Sequence, residues 1–171
     1  AIKTASIDKA RGEKKQLIQA KGGKLQALKK THERYADVFA KLGFPINLTE
    51  HQFPARKVLS AKTQKLIGLS SKKFIGVAPF AAHKGKAYPP DLMKQVIAQL
   101  SSSGNYAIFL FGGGATEIAQ LDKLSEGFEG VTNMAGKLSF TQELELISNL
   151  DVMLAMDSGN GHLAALYDIP V

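Results

Sequence analysis

The second half of the chain alternates short apolar runs with segments whose apolar residues recur at helical spacing. The apolar runs predict buried strands near 74–78, 106–111, 131–134 and 151–156. Each is followed by a helical pattern, and these cover 89–104, 118–128, 140–150 and 161–168. Ser139 and Gln142 form a capping box before the third of these helices. The last residues, 169–171, are typical of the start of another strand.

This strand–helix alternation predicts an α/β fold, a parallel sheet with helices on both faces. The strands are continuous apolar runs rather than alternating ones, as expected for strands covered on both sides. Ligands of such sheets bind beyond the carboxyl ends of the strands. We therefore look for chemistry in the loops that follow the strands.

The first part of the chain is less regular. We expect residues 1–42 to be helical, with Gly22 and Gly23 interrupting the pattern. The clearest helix runs over 31–42, where Thr31 can cap and Gly43 ends the pattern. Residues 44–71 have two prolines and weak periodicity, which is typical of a linker.

Composition narrows the class of protein. With 171 residues, of which 44% are hydrophobic, the chain can bury a sizeable core. The absence of Cys excludes disulfides and thiolate zinc sites, and it suits a reducing compartment. No apolar run is long enough to cross a bilayer, and the first residues lack a signal-peptide pattern. We therefore expect a cytoplasmic protein. We also expect no metal ion, since no cluster of His and acidic residues has the spacing of metal ligands. The missing initial Met predicts that the natural N-terminus lies elsewhere.

The net charge of +7 is concentrated near the start, where residues 1–30 contain nine Lys and Arg but only two acidic residues. A solvated helix surface is the first interpretation, an anionic membrane surface the second and nucleic acid the third. Residues 1–30 contain no aromatic residue on which a base could stack. We therefore predict no nucleic-acid partner.

The loop "DSGNGH", residues 157–162, joins an apolar run to a helix. Its glycines and the helix N-terminus suit a phosphate group. A tight turn in which Asp157 and Ser158 are ordinary caps explains the pattern equally well. Gly159, Gly161 and Ala164 also fit the dinucleotide fingerprint, but that motif belongs in the first strand–helix unit rather than the fourth. A nicotinamide enzyme is therefore disfavoured.

Two further loops follow the first and second apolar runs. "FGGGATE", residues 111–117, is not a P-loop because no Lys-Ser/Thr pair follows it. Glu117 could bind a ribose, although its spacing favours a simple interaction with the helix dipole. In "PFAAHKGKAYPP", Lys84 and Lys86 could pair with phosphate, whereas His83 is better explained as solvated.

In order and spacing, these loops, with "MAGKLSFTQELELISNLDVMLAMDSGNGHLAA" and "YDIPV", resemble the C-terminal half of the ADP-heptose:lipopolysaccharide heptosyltransferases, glycosyltransferase family 9. The resemblance implies a GT-B enzyme of two Rossmann-like domains. Residues 1–43 would be a helical remnant of the acceptor domain, 44–71 an interdomain linker, and 72–171 a truncated nucleotide-sugar-binding domain. The chain departs from the family at 81–83, where many members have Ser or Thr, and at Tyr88, where Trp is common.

The resemblance also implies an activity, the transfer of a heptose from an ADP-sugar to the lipopolysaccharide inner core with inversion. The general base would lie in the N-terminal domain, so no catalytic residue is expected in this chain, and no cofactor. Peripheral contact with the inner membrane is a further expectation, and a non-catalytic adenine-nucleotide-binding module is the alternative function. The donor-binding residues implied, each with its part of the donor, are Lys86 (diphosphate or sugar), Glu117 (ribose), Met134, Ala135 and Gly136 (adenine), Asp157 (sugar), Ser158 and Gly159 (diphosphate), and His162 (bracing the loop).

Overall fold

A computed structural model of the chain describes residues 2–19, 27–68 and 70–171. The chain divides into two units, residues 1–52 and 53–171. The boundary falls within the predicted linker. The division into an acceptor remnant, a linker and a donor domain stays a prediction.

Among its described residues, the first unit contains two helices, α1 (Arg11–Gln19) and α2 (Thr31–Leu42). The helix predicted over 31–42 is confirmed, and Gly43 ends it in the left-handed region with φ 99°. The wider prediction of helix over 1–42 is wrong for 2–10 and 27–30, which have no regular structure. The predicted interruption at Gly22 and Gly23 lies outside the described residues.

The second unit contains five helices and four strands within its described residues. The strands confirm the four predicted from apolar runs, with bounds that differ by at most one residue at each end. The elements in chain order are α3 (Ala61–Ile67), β1 (Lys73–Ala78), a 3-10 turn (Lys84–Lys86), α4 (Pro90–Ser102), β2 (Tyr106–Leu110), α5 (Gly114–Ser125), β3 (Val131–Asn133), α6 (Phe140–Ile147), β4 (Val152–Ala155) and α7 (Gly159–Leu166).

All neighbouring strands are parallel, in the order β3-β2-β1-β4. The chain therefore moves outward from β1 on one side and then crosses to its other side for β4. The N–H of Met153 in β4 donates to the carbonyl of Pro170 at 2.8 Å. This bond places residues 169–171 alongside β4, although they form no assigned strand.

The sheet separates two apolar cores, which explains why its strands are continuous apolar runs. From β2, Phe109 belongs to a core that includes Leu146 of α6 and Ala164 of α7. The adjacent Ile108 belongs to another that includes Ile97 of α4 and Leu121 of α5. Successive residues of a strand point to opposite faces. Helices therefore cover both faces, as predicted.

The segment predicted as an irregular linker contains α3, which the apolar pattern did not reveal. Polar bonds hold this helix to α6. The carboxylate of Glu145 accepts from the Ser60 N–H at 3.0 Å and from the Thr63 hydroxyl at 2.9 Å. These bonds lower the pKa of Glu145, and the bond from the Ser60 backbone N–H has the largest effect. Leu66 and Ile67 also pack against the core, but two adjacent apolar residues in so short a helix show no helical period.

Candidate functional site

A cleft of about 300 Å³ lies where β1, β2 and β4 end. It is at the point of the sheet from which the chain runs to both sides, the usual ligand position of such folds. Three loops contribute to it, one after each of these strands. The lining residues are Ala78, Phe80, Ala81, Ala82, Phe111, Gly112, Gly113, Glu117, Asp157, Ser158, Gly159 and Asn160.

An ion pair at the cleft joins the loop after β1 to the loop after β4. The Lys86 ammonium donates a short hydrogen bond to Oδ2 of Asp157, and this bond is the main cause of a lowered pKa of Asp157. Both side chains are about half exposed, at 55% and 50%. An exposed pair contributes little to folding and stays accessible to a ligand. Asp157 also has a left-handed backbone, with φ 43°, which side-chain-bearing residues rarely adopt.

The two glycines of the loop after β4 have different reasons to be glycine. A Cβ on Gly161 would lie 2.8 Å from Cβ of Ala155, so close packing of α7 on β4 requires glycine there. Gly159 has no left-handed φ, and a Cβ there would meet nothing within 4 Å. Ser158 caps α7, because its Oγ accepts from the Gly161 N–H at 3.4 Å. The turn interpretation thus explains Ser158 and Gly161 and leaves Gly159 as open surface at the cleft.

Glu117 lies in the first turn of α5 and contributes to the cleft wall. Its Oε2 accepts from the Gly113 N–H at 2.8 Å, which closes the glycine-rich loop onto the helix. A Cβ on Gly112 would lie 3.0 Å from the same oxygen, so the small residue permits this closure. The carboxylate therefore has a local structural contact as well as a position facing the cleft.

The remaining predicted residues lie outside the cleft lining. His162 is 82% exposed, with Nε2 at 4.0 Å from Oδ1 of Asp157. Met134 and Ala135 are buried, one in each core, and Gly136 is exposed with φ 74°. The structure therefore groups Glu117, Asp157, Ser158 and Gly159 around one cleft, with Lys86 joined to them through Asp157.

Sequence reasoning missed Asn160, which lines the cleft. Its Nδ2 donates to Oε1 of Glu143 in α6 at 2.7 Å. The two residues lie in separate helices, and their spacing in the chain carries no signal.

Within the described ranges, no three His, Cys, Asp or Glu residues are grouped so that they could hold a metal ion. In the same ranges, no helix combines the length and the apolar character needed to cross a membrane.

The fold is that of a Rossmann-like α/β domain, and the cleft lies at the sheet edge where domains of this class bind their ligands. The chain belongs to glycosyltransferase family 9 (heptosyltransferase), whose family model matches residues 8–171. The family predicted from the loops is therefore confirmed.

Individual proteins are also similar to this chain over part of their length. Lipopolysaccharide heptosyltransferase 3 of Escherichia coli K12 is 29% identical over 100 residues, which are 57% of this chain and 29% of that protein. The structure of E. coli heptosyltransferase WaaC with ADP matches with a TM-score of 0.62 and 24% identity, covering 84% of this chain and 45% of that one. The structure of E. coli ADP-heptose lps heptosyltransferase II matches with a TM-score of 0.65 and 23% identity, covering 85% of this chain and 49% of that one. The chain thus spans less than half the length of each of these relatives.

Proposed function

We propose that this chain supplies the donor site of an inverting heptosyltransferase, which moves a heptose from an ADP-sugar to the inner core of lipopolysaccharide. Membership of the family supports this proposal, as does the similar WaaC structure with ADP-2-deoxy-2-fluoro heptose, at 25% identity. The observation that carries it is one cleft bordered by the Lys86–Asp157 pair, the N-terminus of α7 and Glu117.

The diphosphate would bind between Lys86 and the N-terminus of α7. The first N–H groups of a helix have no partner within it and attract anions. The backbone N–H groups of Ser158 and Gly159 would donate to phosphate oxygens, and the open space at Gly159 permits close approach. Lys86 has three N–H donors, so it can bind a phosphate while it keeps Asp157.

The nucleoside would extend toward the loops after β2 and β3. Glu117 would accept hydrogen bonds from the ribose hydroxyls. Met134 and Ala135 are buried, so this segment would contribute backbone, with the exposed Gly136, to the adenine pocket. His162 is exposed beside Asp157 and would brace the loop through it.

The reaction would be a single displacement at the anomeric carbon. The acceptor hydroxyl forms the new C–O bond, the bond to ADP breaks, and a general base takes the proton. Negative charge grows on the departing diphosphate, where Lys86 and the N–H groups would stabilise it. Asp157 is a poor candidate for the base because Lys86 lowers its pKa, so we assign it to the sugar. The base would lie in the acceptor half of the enzyme.

The protein would act in the cytoplasm, in peripheral contact with the inner membrane. Residues 1–52 contain eleven Lys and Arg and five acidic residues, an excess that suits an anionic surface. Binding to vesicles with anionic lipid, but not to neutral vesicles, is the expected result. Equal binding to both would contradict this part of the proposal.

Calorimetry with ADP, ADP-heptose and UDP tests the donor site. We expect ADP and ADP-heptose to bind, with ADP-heptose tighter, and UDP to bind at least about tenfold more weakly than ADP, or about 1.4 kcal/mol. Equal affinity for ADP and ADP-heptose would instead favour the adenine-nucleotide-binding module. A preference for UDP would contradict the proposed donor.

A further inference from the structure

Asn160 is the one polar side chain of the cleft that the proposed function leaves without a role, within the described residues. It is the second residue of α7 and is partly buried. Its bond to Glu143 joins the start of α7 to the first turn of α6, with Nδ2 and Oε1 2.7 Å apart. The side chain is therefore held in place before any ligand arrives.

The chemistry of this bond fixes which end of the amide is occupied. A carboxylate can only accept hydrogen bonds, so the Asn160 nitrogen must face Glu143. The Oδ1 atom is then the free end of the amide, because no other bond to this side chain is found among the described residues. A hydrogen-bond acceptor of fixed orientation thus belongs to a residue of the cleft wall.

An acceptor suits only part of a nucleotide sugar. Phosphate oxygens are acceptors too and would be repelled by Oδ1, whereas a hydroxyl donates. Lys86 and the helix N–H groups already provide donors for the phosphates. We propose that Asn160, oriented by Glu143, is a specificity-determining residue that accepts a hydrogen bond from a hydroxyl of the transferred sugar. This inference rests on the proposed donor site.

A purely structural role for Asn160, tying α7 to α6, makes a different prediction. Loss of the tie would lower the unfolding temperature and weaken every ligand of the cleft in parallel. A contact with the sugar changes only the ratio of the affinities for ADP-heptose and ADP. That ratio is therefore the quantity to measure.

The test compares Asn160→Leu, which keeps the branched shape of the side chain without its polar atoms, with the unsubstituted chain by calorimetry. We expect ADP-heptose to bind about 3- to 10-fold more weakly, as for the loss of one hydrogen bond, and ADP to change less than about twofold. Glu143→Ala should shift the ratio in the same direction by a smaller factor. Glu143→Gln should leave the ratio as in the unsubstituted chain, because the glutamine carbonyl can still accept from Asn160. Glu126→Ala, at the far end of α5, is the matched control and should change neither ligand.

The outcomes separate this inference from the donor site itself. If Asn160→Leu weakens ADP and ADP-heptose equally, or weakens neither, the assignment is overturned while ADP binding still supports the donor site. The assignment also fails if the unsubstituted chain does not discriminate between the two ligands. Failure of the unsubstituted chain to bind ADP would overturn both proposals.

Discussion

Two Lys–Asp pairs join the β1 side of the sheet to the β4 side, one at each end. At the amino end, Lys73 donates to Asp151 at 2.9 Å; at the carboxyl end, Lys86 donates to Asp157. In both cases a hydrogen bond from the lysine is the main reason for the lowered pKa of the aspartate. A lowered pKa therefore does not by itself tell a ligand site from a structural pair.

The difference lies in what else each aspartate contacts. Asp151 also accepts from the Phe74 N–H at 2.8 Å, and its own N–H donates to the Phe74 carbonyl at 2.8 Å. Those bonds continue the pairing of β1 with β4, so this pair belongs to the sheet. Asp157 has a left-handed backbone and lines the cleft beside an open helix N-terminus. The second pair therefore combines a strained backbone at Asp157 with an exposed lysine ammonium that can turn to a ligand, so it is the pair suited to a ligand site.

Removing each lysine in turn gives the largest expected contrast. We expect Lys86→Ala to weaken ADP binding about 10- to 100-fold, because it deletes a charged donor to phosphate. Lys73→Ala removes the pair at the opposite end, whose side chains are 71% and 37% exposed, and should leave ADP binding unchanged. Calorimetry on both variants measures this. Equal losses, or no loss for Lys86→Ala, would show that the two pairs do not differ in function.

The glycines after β4 sharpen the contrast within one loop. Gly161→Ala would force a Cβ to 2.8 Å from Ala155, so we expect unfolding free energy to fall by about 1–3 kcal/mol. The Cβ added by Gly159→Ala would have no atom within 4 Å, so the free energy of unfolding should not change. The same methyl group would crowd the phosphate and should weaken the binding of ADP. Denaturant unfolding and ADP titration of both variants check this. The account fails if Gly159→Ala is the destabilising substitution.

The smallest expected effect is a pH dependence of stability at the amino end. The pKa of Asp151 in the folded chain lies below the ordinary value of 3.8. Its contribution to stability is therefore present above that pH and is lost as the pH falls through the folded pKa. Asp151→Asn should flatten this part of the curve of unfolding free energy against pH. An unchanged curve between neutral pH and pH 3 would show that the pair adds nothing.

The sequence predicted the sheet well because burial on both faces leaves a continuous apolar run. It missed α3 because this short helix has only two adjacent large apolar residues, Leu66 and Ile67, and is otherwise held by polar bonds such as that of Thr63 to Glu145. It placed Glu117 and Asp157 at the carboxyl edge, as the structure does, because each belongs to a strand-to-helix connection: Asp157 lies just after β4, and Glu117 lies in the first turn of the helix that follows β2. Met134 was harder, since its N–H donates to Leu110 and its side chain enters the core.

Amide chemical shifts during an ADP titration test the central claim most directly. The account predicts that shifts concentrate at residues 80–86, 112–117, 134–136 and 157–162, with saturation at one affinity. Amides near Thr63 in α3, away from the cleft lining, should not move. Shifts confined to the basic residues before α2, or an equal response to UDP at the cleft, would contradict the assignment of this cleft as an ADP-sugar site.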